Sequence, residues 1–399
     1  MAVLAFGVPS AAARAAVPER VAQDDATVVC QWHDRARALA QMHEAGFSHV
    51  RINVVHAPGA EGQGLVACSL PATLEDYDRA VAAVLAAGLV PQLTLVWYRQ
   101  TDPAAIATWM AQMAAHFSAQ VQRFSVLNEP DLMLPASDDC DPHTVRQMVA
   151  SGQLQASPRA PRVKRYLRHP VYRYVSTRIG AGTGHRFVIR RERAYRWVTP
   201  RGPVPTDGSD SSFEDVTTVL QGCLRIQRGR QYHRIFAAAE PAIRAAAPGA
   251  EVLAGETSPL PGLDLFIGAA LPLHADGWAH HCYQWDLTPT TATDRFGIGD
   301  TTRVQALVGM PLYLTECGYP NPDSSWNQVR WNGFFTHDNE PAAYAQMWQY
   351  AKDLGVREMA QFGWCKNPED RWDTSLMTQD GCDADAEYLA VKRVIGSWG

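Results

Sequence analysis

Short apolar segments alternate with amphipathic helical segments along most of this 399-residue chain. One helical segment carries Tyr77, Val81 and Val84 on a single face, and it ends at Gly88. The segments between the helices have almost no polar interruption. They cover residues 49–55, 90–97, 123–129, 251–256, 277–283, 311–316 and 358–365. Uniformly apolar strands that alternate with amphipathic helices predict a parallel β-sheet covered on both faces.

The number of strand–helix units identifies the fold class more closely. With a first strand expected within residues 20–29, the chain contains eight such units, which predicts a (β/α)8 TIM barrel of the α/β class. We expect one barrel over residues 16–399. A doubly wound open sheet is the alternative, but that fold usually has an early glycine-rich phosphate loop, and the sequence shows none.

A long segment interrupts the alternation after the fourth predicted strand. Residues 135–229 are therefore predicted to form an insertion subdomain within the barrel. Residues 159–201 contain thirteen Lys and Arg residues and one acidic residue, Glu192, and residues 185–198 alternate like a β-strand. Loops at this end of a barrel strand line the active-site mouth. The insertion is either a cationic wall for an anionic substrate or a solvated subdomain whose arginines balance the acidic barrel.

The composition limits the class of partner. The chain is 46% apolar and 19% charged, which is ordinary for globular proteins, and its net charge of −5 argues against nucleic acid as a partner. No apolar run approaches the roughly 20 residues of a membrane span. Residues 1–15 contain a short apolar start and the cleavage-like pattern Ala13-Arg14-Ala15, which predicts an export-signal remnant or a floppy N-terminus. We expect a secreted or cell-envelope location, or otherwise a cytoplasmic one.

Eight cysteines, an even number, suit an oxidising compartment, although they are spread widely along the chain. Their pairing cannot be deduced from the sequence. Cys282, Cys317 and Cys365 each adjoin the tip of a predicted strand, and we interpret them as small core residues rather than metal ligands. His280 and His281 are adjacent on a strand and point to opposite faces, so they cannot share one ion. The sequence predicts no metal site and no cofactor.

Two of the predicted strands end in a glutamate. Glu129 follows an apolar run, and Pro130 prevents both strand and helix from continuing through this point. Glu316 ends the strand that begins at Pro311. Because the carboxyl ends of parallel barrel strands open onto one pocket, we expect the two glutamates to face each other. A facing pair of carboxylates is the machinery of glycoside hydrolysis.

The strand-end motifs resemble those of a known group of enzymes. Asn128–Pro130 (N-E-P) on the fourth strand, His281–Tyr283 (H-C-Y) on the sixth and Glu316 on the seventh together resemble the retaining glycoside hydrolases of clan A. These are (β/α)8 enzymes that include families five and thirty-nine. The likeness covers the strand framework but not the insertion. It implies that Glu129 is the acid/base and Glu316 the nucleophile of a double displacement.

The same resemblance implies roles for four neighbouring residues. Arg51 on the second strand resembles the arginine that keeps the nucleophile ionised, and a nearby cation does favour a carboxylate. Tyr283 resembles the tyrosine that donates a hydrogen bond to the nucleophile, and His281 would orient its neighbours. Asn128 resembles the asparagine that binds the sugar 2-hydroxyl. The alternatives are an ordinary ion pair or a surface role for Arg51 and core positions for His281 and Tyr283. For the two glutamates, the alternative is a solvated loop residue or a partner for an arginine.

Aromatic residues at strand ends are candidate sugar platforms, because flat apolar faces suit the C–H faces of sugar rings. Trp364 ends the eighth strand, where the clan typically stacks an aromatic ring on the sugar, and Trp97 ends the third. A core position is the alternative for each. Glu256 also ends a strand, but no motif supports it, and we interpret it as structural. The pair Asp24-Asp25 near the first strand is interpreted as part of a turn, with contact to the substrate as the alternative.

The sequence therefore predicts a retaining glycoside hydrolase that acts on a poly- or oligosaccharide. Its partner would be a carbohydrate substrate, and an anionic one if the basic insertion lines the site. A non-catalytic glycan-binding barrel and a transglycosidase that uses the same carboxylate pair are the alternatives. The presence of both acids favours an enzyme over a binding module.

Overall fold

The structure is a computed structural model. It describes residues 17–56, 72–97, 100–135, 219–259, 262–283, 301–319, 340–365, 374–377 and 382–398. For residues 219–223 it describes the backbone only, and the same holds for residues 163–166, 172–179, 186–193 and 195–198. Eight parallel strands close into a barrel in which the last strand pairs with the first. These are β1 Glu19–Gln23, β2 His49–Val55, β3 Val90–Val96, β4 Arg123–Val126, β9 Glu251–Thr257, β10 Gly277–Tyr283, β11 Leu312–Gly318 and β12 Glu358–Phe362.

Four further described strands lie between β4 and β9. They are β5 Val163–Tyr166, β6 Tyr172–Ile179, β7 Arg186–Arg193 and β8 Tyr195–Val198. β5 pairs with β8 and β6 pairs with β7, both in antiparallel fashion. The strand predicted over residues 185–198 is thus divided between β7 and β8, which have different partners. The side chains of this basic segment lie outside the described part of the chain, and a separate subdomain over 135–229 stays a prediction.

The helices begin where the sequence provides caps. The side chain of Thr73 accepts a hydrogen bond from the backbone of Asp76, whose side chain accepts one from the backbone of Thr73. This capping box opens the helix Leu74–Ala86, α3. Asp102 caps α4, and Pro103 occupies its first turn. The described helices are α1 Asp25–Val28, α2 Arg35–Glu44, α3 Leu74–Ala86, α4 Pro103–Phe117, α5 Pro130–Met133, α6 Val219–Ala246, α7 Leu263–Ala270, α8 Thr301–Val308, α9 Glu340–Leu354 and α10 Ala386–Gly396.

The main apolar core lies between the barrel wall and the helices. The predicted stripe of α3 is buried there, together with the large side chains Trp278 of β10 and Trp348 of α9. None of the helices within the described residues is both long and apolar enough to cross a membrane.

A polar network fills the barrel interior at the N-terminal ends of the strands. Arg123 of β4 donates to Glu358 of β12 and to Gln92 of β3, both at 3.0 Å, and to Glu19 of β1 at 2.6 Å. The ring of Tyr313 lies 4.9 Å from the guanidinium carbon. Burial raises the pKa of the Glu358 carboxyl to about 7 despite the neighbouring arginine. This network closes the end of the barrel opposite to the strand tips.

Two disulfides lie within the described residues. Cys282 of β10 is bonded to Cys317 of β11, and the two are register partners in the parallel sheet. Cys365, just after β12, is bonded to Cys382, which precedes α10. All four are buried in the core, in agreement with the positions predicted for Cys282, Cys317 and Cys365. The sequence did not predict that they are paired.

The predicted fold class is confirmed, since the structure is a closed barrel of eight parallel strands surrounded by helices. The first strand, the least defined in the sequence, covers only Glu19–Gln23, and residues 25–28 of the expected range form α1 instead. The predicted signal segment, residues 1–15, lies outside the described residues.

Candidate active site

Glu129 and Glu316 lie together at the C-terminal ends of the barrel strands. Glu129 follows β4 and precedes α5, and Glu316 lies near the end of β11. An oxygen of each carboxylate and a ring nitrogen of His281 all lie within 4.8 Å of one another. The Glu129 side chain is 18% exposed and that of Glu316 is 9% exposed, so solvent reaches both acids from the mouth. The predicted convergence of these three residues is therefore found.

The backbone turns sharply at the tip of β4. Leu127 and Glu129 have φ angles of 65° and 46°, in the left-handed region that residues other than glycine rarely adopt. The Glu129 amide donates to the carbonyl oxygen of Glu256 at 2.8 Å, which ties the tip of β4 to the neighbouring strand β9. Pro130 begins α5 directly afterwards. The turn directs the Glu129 side chain across the mouth rather than along the strand.

His281 connects the two glutamates to a third one. Its Nδ1 donates to Glu129 Oε1 at 3.2 Å, and its Nε2 donates to Glu256 Oε2 at 3.1 Å and lies 3.6 Å from Glu316 Oε2. Burial would lower the pKa of this imidazole, but the three carboxylates around it raise the pKa to about 10. Carboxylate oxygens at 3.1, 3.2 and 3.6 Å from its two nitrogens thus favour an imidazolium that donates from both.

Arg51 of β2 is buried beneath the carboxylates, and all five of its N–H groups have an acceptor. Nε donates to Thr94 at 2.9 Å, Nη1 to Gln23 and to Glu316 at 3.2 Å, and Nη2 to Asn128 at 2.9 Å and to Glu256 at 3.0 Å. The guanidinium therefore joins five strand ends. It contacts Glu316, as the resemblance implied, and it also fixes the Asn128 side chain.

The two glutamates at the mouth have different surroundings. Each oxygen of Glu316 accepts a hydrogen bond, one from the Tyr283 hydroxyl and one from Arg51. Burial raises the pKa of the Glu129 carboxyl, and the charges of Glu316 and Asp131 raise it further, while the hydrogen bond from His281 opposes the shift. The site thus contains one carboxyl that tends to keep its proton and one that is surrounded by donors.

Glu256 belongs to the same network, although the sequence favoured a structural interpretation. It is fully buried and accepts from Thr315 at 2.6 Å and from Thr94 at 3.2 Å, in addition to Arg51 and His281. Burial alone would raise the pKa of this carboxyl, but Arg51 and the other donors lower it to about 2. Its position at the end of the apolar strand β9 was the only available signal in the sequence.

The ring of Trp364 is buried, which argues against the sugar platform expected there. Its ring is fully buried in the helix layer, 5.2 Å from Phe47 and 5.9 Å from Tyr388. Gly363 has a φ of 75° and turns the chain away from the barrel after Phe362. Phe362 is the aromatic residue of β12 near the site, with its ring 6.5 Å from that of Tyr283.

Trp97, the other predicted platform, lies directly after β3 and is partly buried. It packs edge-on against His56 at 3.9 Å and Trp109 at 5.7 Å. A contact of Trp97 with substrate stays a prediction. Asp24 caps α1 from a fully buried position, which agrees with a turn residue, whereas Asp25 accepts from Gln23 and is joined through it to Arg51.

The distances among Glu129, His281 and Glu316 would also allow them to hold a metal ion. The chemistry of His281 argues against this, because an imidazole ligand needs a free lone pair and both of its nitrogens donate to carboxylates. Arg51, whose positive charge repels a cation, is hydrogen-bonded to one of the carboxylates. The residues of this site fit a proton-transfer network better than a metal centre.

Solved structures show the same fold. A family 39 glycoside hydrolase from the gut symbiont Bacteroides cellulosilyticus superimposes with a TM-score of 0.52 and 11% identity, over 95% of this chain and 63% of that one. The family 39 enzyme from Xanthomonas axonopodis superimposes with a TM-score of 0.52 and 15% identity, over 95% of this chain and 66% of that one. A family 39 β-xylosidase from Caulobacter crescentus superimposes with a TM-score of 0.51 and 14% identity, over 96% of this chain and 72% of that one.

These likenesses establish the barrel fold. This chain spans less than two thirds of the length of the first two solved chains. No protein-family model matches the sequence, and no curated protein matches it.

Proposed function

We propose that this chain is a retaining glycoside hydrolase that cleaves O-glycosidic bonds of a poly- or oligosaccharide by double displacement. Glu316 would be the nucleophile and Glu129 the general acid/base. The observation that carries the proposal is the spacing of these two carboxylates, whose nearest oxygens lie within 4.8 Å. Retaining enzymes hold their carboxyl groups about 5–5.5 Å apart, whereas inverting enzymes separate them by about 6.5–9.5 Å to admit a water molecule.

The surroundings of the two acids support a division of labour between them. The raised pKa of Glu129 keeps a proton available for the leaving oxygen. Arg51 and Tyr283 donate to Glu316, which holds its carboxylate in one orientation for attack on the anomeric carbon. Asn128, fixed by Arg51, would donate from its amide nitrogen to the sugar 2-hydroxyl.

In the first step, a Glu316 oxygen forms a bond to the anomeric carbon while the bond from that carbon to the leaving oxygen breaks. The proton of Glu129 passes to the leaving oxygen. Glu316 becomes an ester and loses its charge. Because the charge of Glu316 helps to raise the pKa of Glu129, its loss makes the newly formed Glu129 carboxylate easier to maintain.

In the second step, a water molecule attacks the anomeric carbon and Glu129 accepts one of its protons. The bond between this carbon and Glu316 breaks, which releases the sugar and restores both acids. The configuration at the anomeric carbon is inverted twice and thus retained. A transglycosidase would use the same steps with a sugar hydroxyl in place of water, and product analysis at high substrate concentration separates the two reactions.

We extend the proposal to β-glycosides, since one solved structure with this fold is named a β-xylosidase. We also propose an oxidising compartment. Two disulfides lie within the described residues, and Cys30 is disulfide-bonded as well. Disulfides persist outside the reducing cytosol, which supports a secreted or cell-envelope location.

The test begins with a panel of 4-nitrophenyl β-glycosides of neutral and acidic sugars. On the sugar that is cleaved, Glu316→Ala and Glu129→Ala should each remove nearly all activity. Glu358→Gln, a change of a buried glutamate at the far end of the barrel, is the matched control and should retain activity. With azide, Glu316→Ala should yield a glycosyl azide of inverted configuration and Glu129→Ala one of retained configuration.

A covalent label identifies the nucleophile directly. The 2-deoxy-2-fluoro glycosyl fluoride of the cleaved sugar should modify the peptide that contains Glu316, as seen by mass spectrometry. Wild-type rates from either alanine variant, or a label on Glu256 instead, would overturn the assignment.

A further inference from the structure

Three acids and two cations share one buried network at the barrel mouth. The cations are Arg51 and His281, and the acids are Glu129, Glu256 and Glu316. The nearby Asp131 has its own partner, Arg225, at 2.5 Å. The charges of the network balance when two acids are ionised and one carries a proton. The proposed function assigns that proton to Glu129, but it gives no role to Glu256.

The Glu256 carboxylate accepts every one of the hydrogen bonds that its side chain makes with the described residues. Its Oε2 accepts from His281, Arg51 and Thr315, and its Oε1 accepts from Thr94. A fully buried carboxyl with only donors around it is an anion whose charge must be balanced locally. His281 lies between this anion and Glu129, with one ring nitrogen directed at each.

We propose that Glu256 is a positioning residue that keeps His281 protonated and aimed at Glu129, and that it thereby sets the pH range in which the acid/base works. The proposal rests on the proposed function for its kinetic consequence only. Because Glu256 is fully buried, it would act through the imidazolium rather than by contact with the substrate.

The two steps of the reaction explain why a third acid is useful here. Before the first step, both Glu256 and Glu316 stabilise the His281 cation from the Nε2 side, at 3.1 and 3.6 Å. In the glycosyl-enzyme, Glu316 is an ester and has no charge. Glu256 is then the anion that remains on that side of His281. It preserves the donor that Glu129 needs while Glu129 is a carboxylate.

The remaining charged groups around His281 do not replace Glu256. Arg51 is a cation that donates to the same oxygen of Glu256 as His281 does, and Tyr283 on the same strand as His281 donates to Glu316. His280, the adjacent residue, contacts Thr257 at 3.0 Å, and burial lowers the pKa of its imidazole to about 3, so it carries no charge. Only a carboxylate can stabilise the protonated form of His281 here. Of the three carboxylates around it, Glu256 is the one that neither forms a bond to the sugar nor transfers a proton in the proposed reaction.

The experiment compares Glu256→Gln with Thr315→Val. The first removes the charge and keeps the shape, and the second removes one hydrogen bond to Glu256 and keeps the charge. The ring nitrogens of His281 are followed by NMR of 15N-histidine-labelled protein, and the signal is assigned by its absence from a His281→Gln variant. In the wild type and in Thr315→Val, both nitrogens should stay protonated to about pH 9. In Glu256→Gln the midpoint should fall by about two to three pH units.

The kinetic readout is the pH profile of kcat/KM on the cleaved aryl glycoside. At pH values below the lowered midpoint of His281, the imidazole is still protonated and the loss of the Glu256 charge leaves a surplus positive charge beside Glu129, which therefore loses its proton more easily. The alkaline limb should therefore shift to lower pH by about one unit in Glu256→Gln. Glu256→Asp, which restores the charge, should move it back toward the wild-type position.

The outcomes are distinguishable from those that test the proposed function. A His281 that stays doubly protonated at pH 9 in Glu256→Gln overturns the inference even if the enzyme is active. A wild-type His281 that is neutral at pH 7 also overturns the inference. This second measurement uses the wild type alone and does not depend on whether a variant folds. If no glycoside is cleaved but His281 behaves as described, the proposed function fails and the positioning role stands.

Discussion

The five-acceptor environment of Arg51 leads to a quantitative expectation for Arg51→Lys. A lysine ammonium has three N–H groups, so at least two of the five acceptors, four of which are buried, lose this donor. A buried polar group left without a partner costs about 1–3 kcal/mol, so the free energy of unfolding should fall by about 2–6 kcal/mol. Because Asn128 and Glu316 would also lose their fixed positions, kcat/KM should fall about 100-fold.

Arg225→Lys is the matched control. Arg225 is also buried, but a single one of its nitrogens donates, to the carbonyl and carboxylate oxygens of Asp131. One ammonium can take the place of that nitrogen and keep the charge beside Asp131, so the expected loss is about 1 kcal/mol, the net contribution of one hydrogen bond. Stability is measured by urea denaturation with tryptophan fluorescence, with the disulfides kept oxidised. If Arg51→Lys and Arg225→Lys are destabilised equally, the five-donor fit is not what holds the site together.

Three more expectations concern the buried acid Glu358 and the two described disulfides. The pKa of Glu358 is raised to about 7 from an ordinary 4.5, so its ionisation disfavours the folded state as pH rises through about 7. The wild type should therefore lose about 3 kcal/mol of its free energy of unfolding between pH 4.5 and 8, a loss that Glu358→Gln should lack. If the free energies of unfolding of the two proteins change with pH in the same way, the expectation is wrong. The disulfide Cys282–Cys317 closes 35 residues, and replacing both cysteines by alanine should cost about 4 kcal/mol and lower kcat/KM, because each cysteine directly follows a site residue. The same replacement of the other described disulfide should cost about 3 kcal/mol with kcat/KM unchanged, and equal kinetic losses would show that the first crosslink has no special relation to the site.

The sequence predicted the barrel because hydrophobic periodicity distinguishes buried parallel strands from amphipathic helices, and these strands carry few polar residues. It also identified Glu129, Glu316 and their contacts with Arg51, His281 and Tyr283, since these residues end strands and carry motifs that resemble a known clan. The structure brings all five together. Their catalytic roles remain those proposed above.

Features set by chain geometry or by distant contacts were not predictable. Trp364 would face the barrel interior if β12 continued through it, but one glycine with positive φ directs it into the helix layer. Glu256 has partners that lie far away in the sequence, among them Arg51 and Thr94, and no local pattern marks that convergence. Cysteine pairing depends on the register of neighbouring strands, and the number and spacing of the cysteines in the sequence do not give that register.

The left-handed backbone at the strand tips has a consequence for any effort to make this protein more heat-resistant. Glu129 and Glu256, with φ angles of 46° and 50°, occupy positions where glycine or asparagine would fit the main chain with less strain. Methods that choose residues by backbone compatibility will therefore favour replacement of two of the three acids of the network. Stabilising libraries for this barrel should hold both positions fixed and seek their gains in the outer helices.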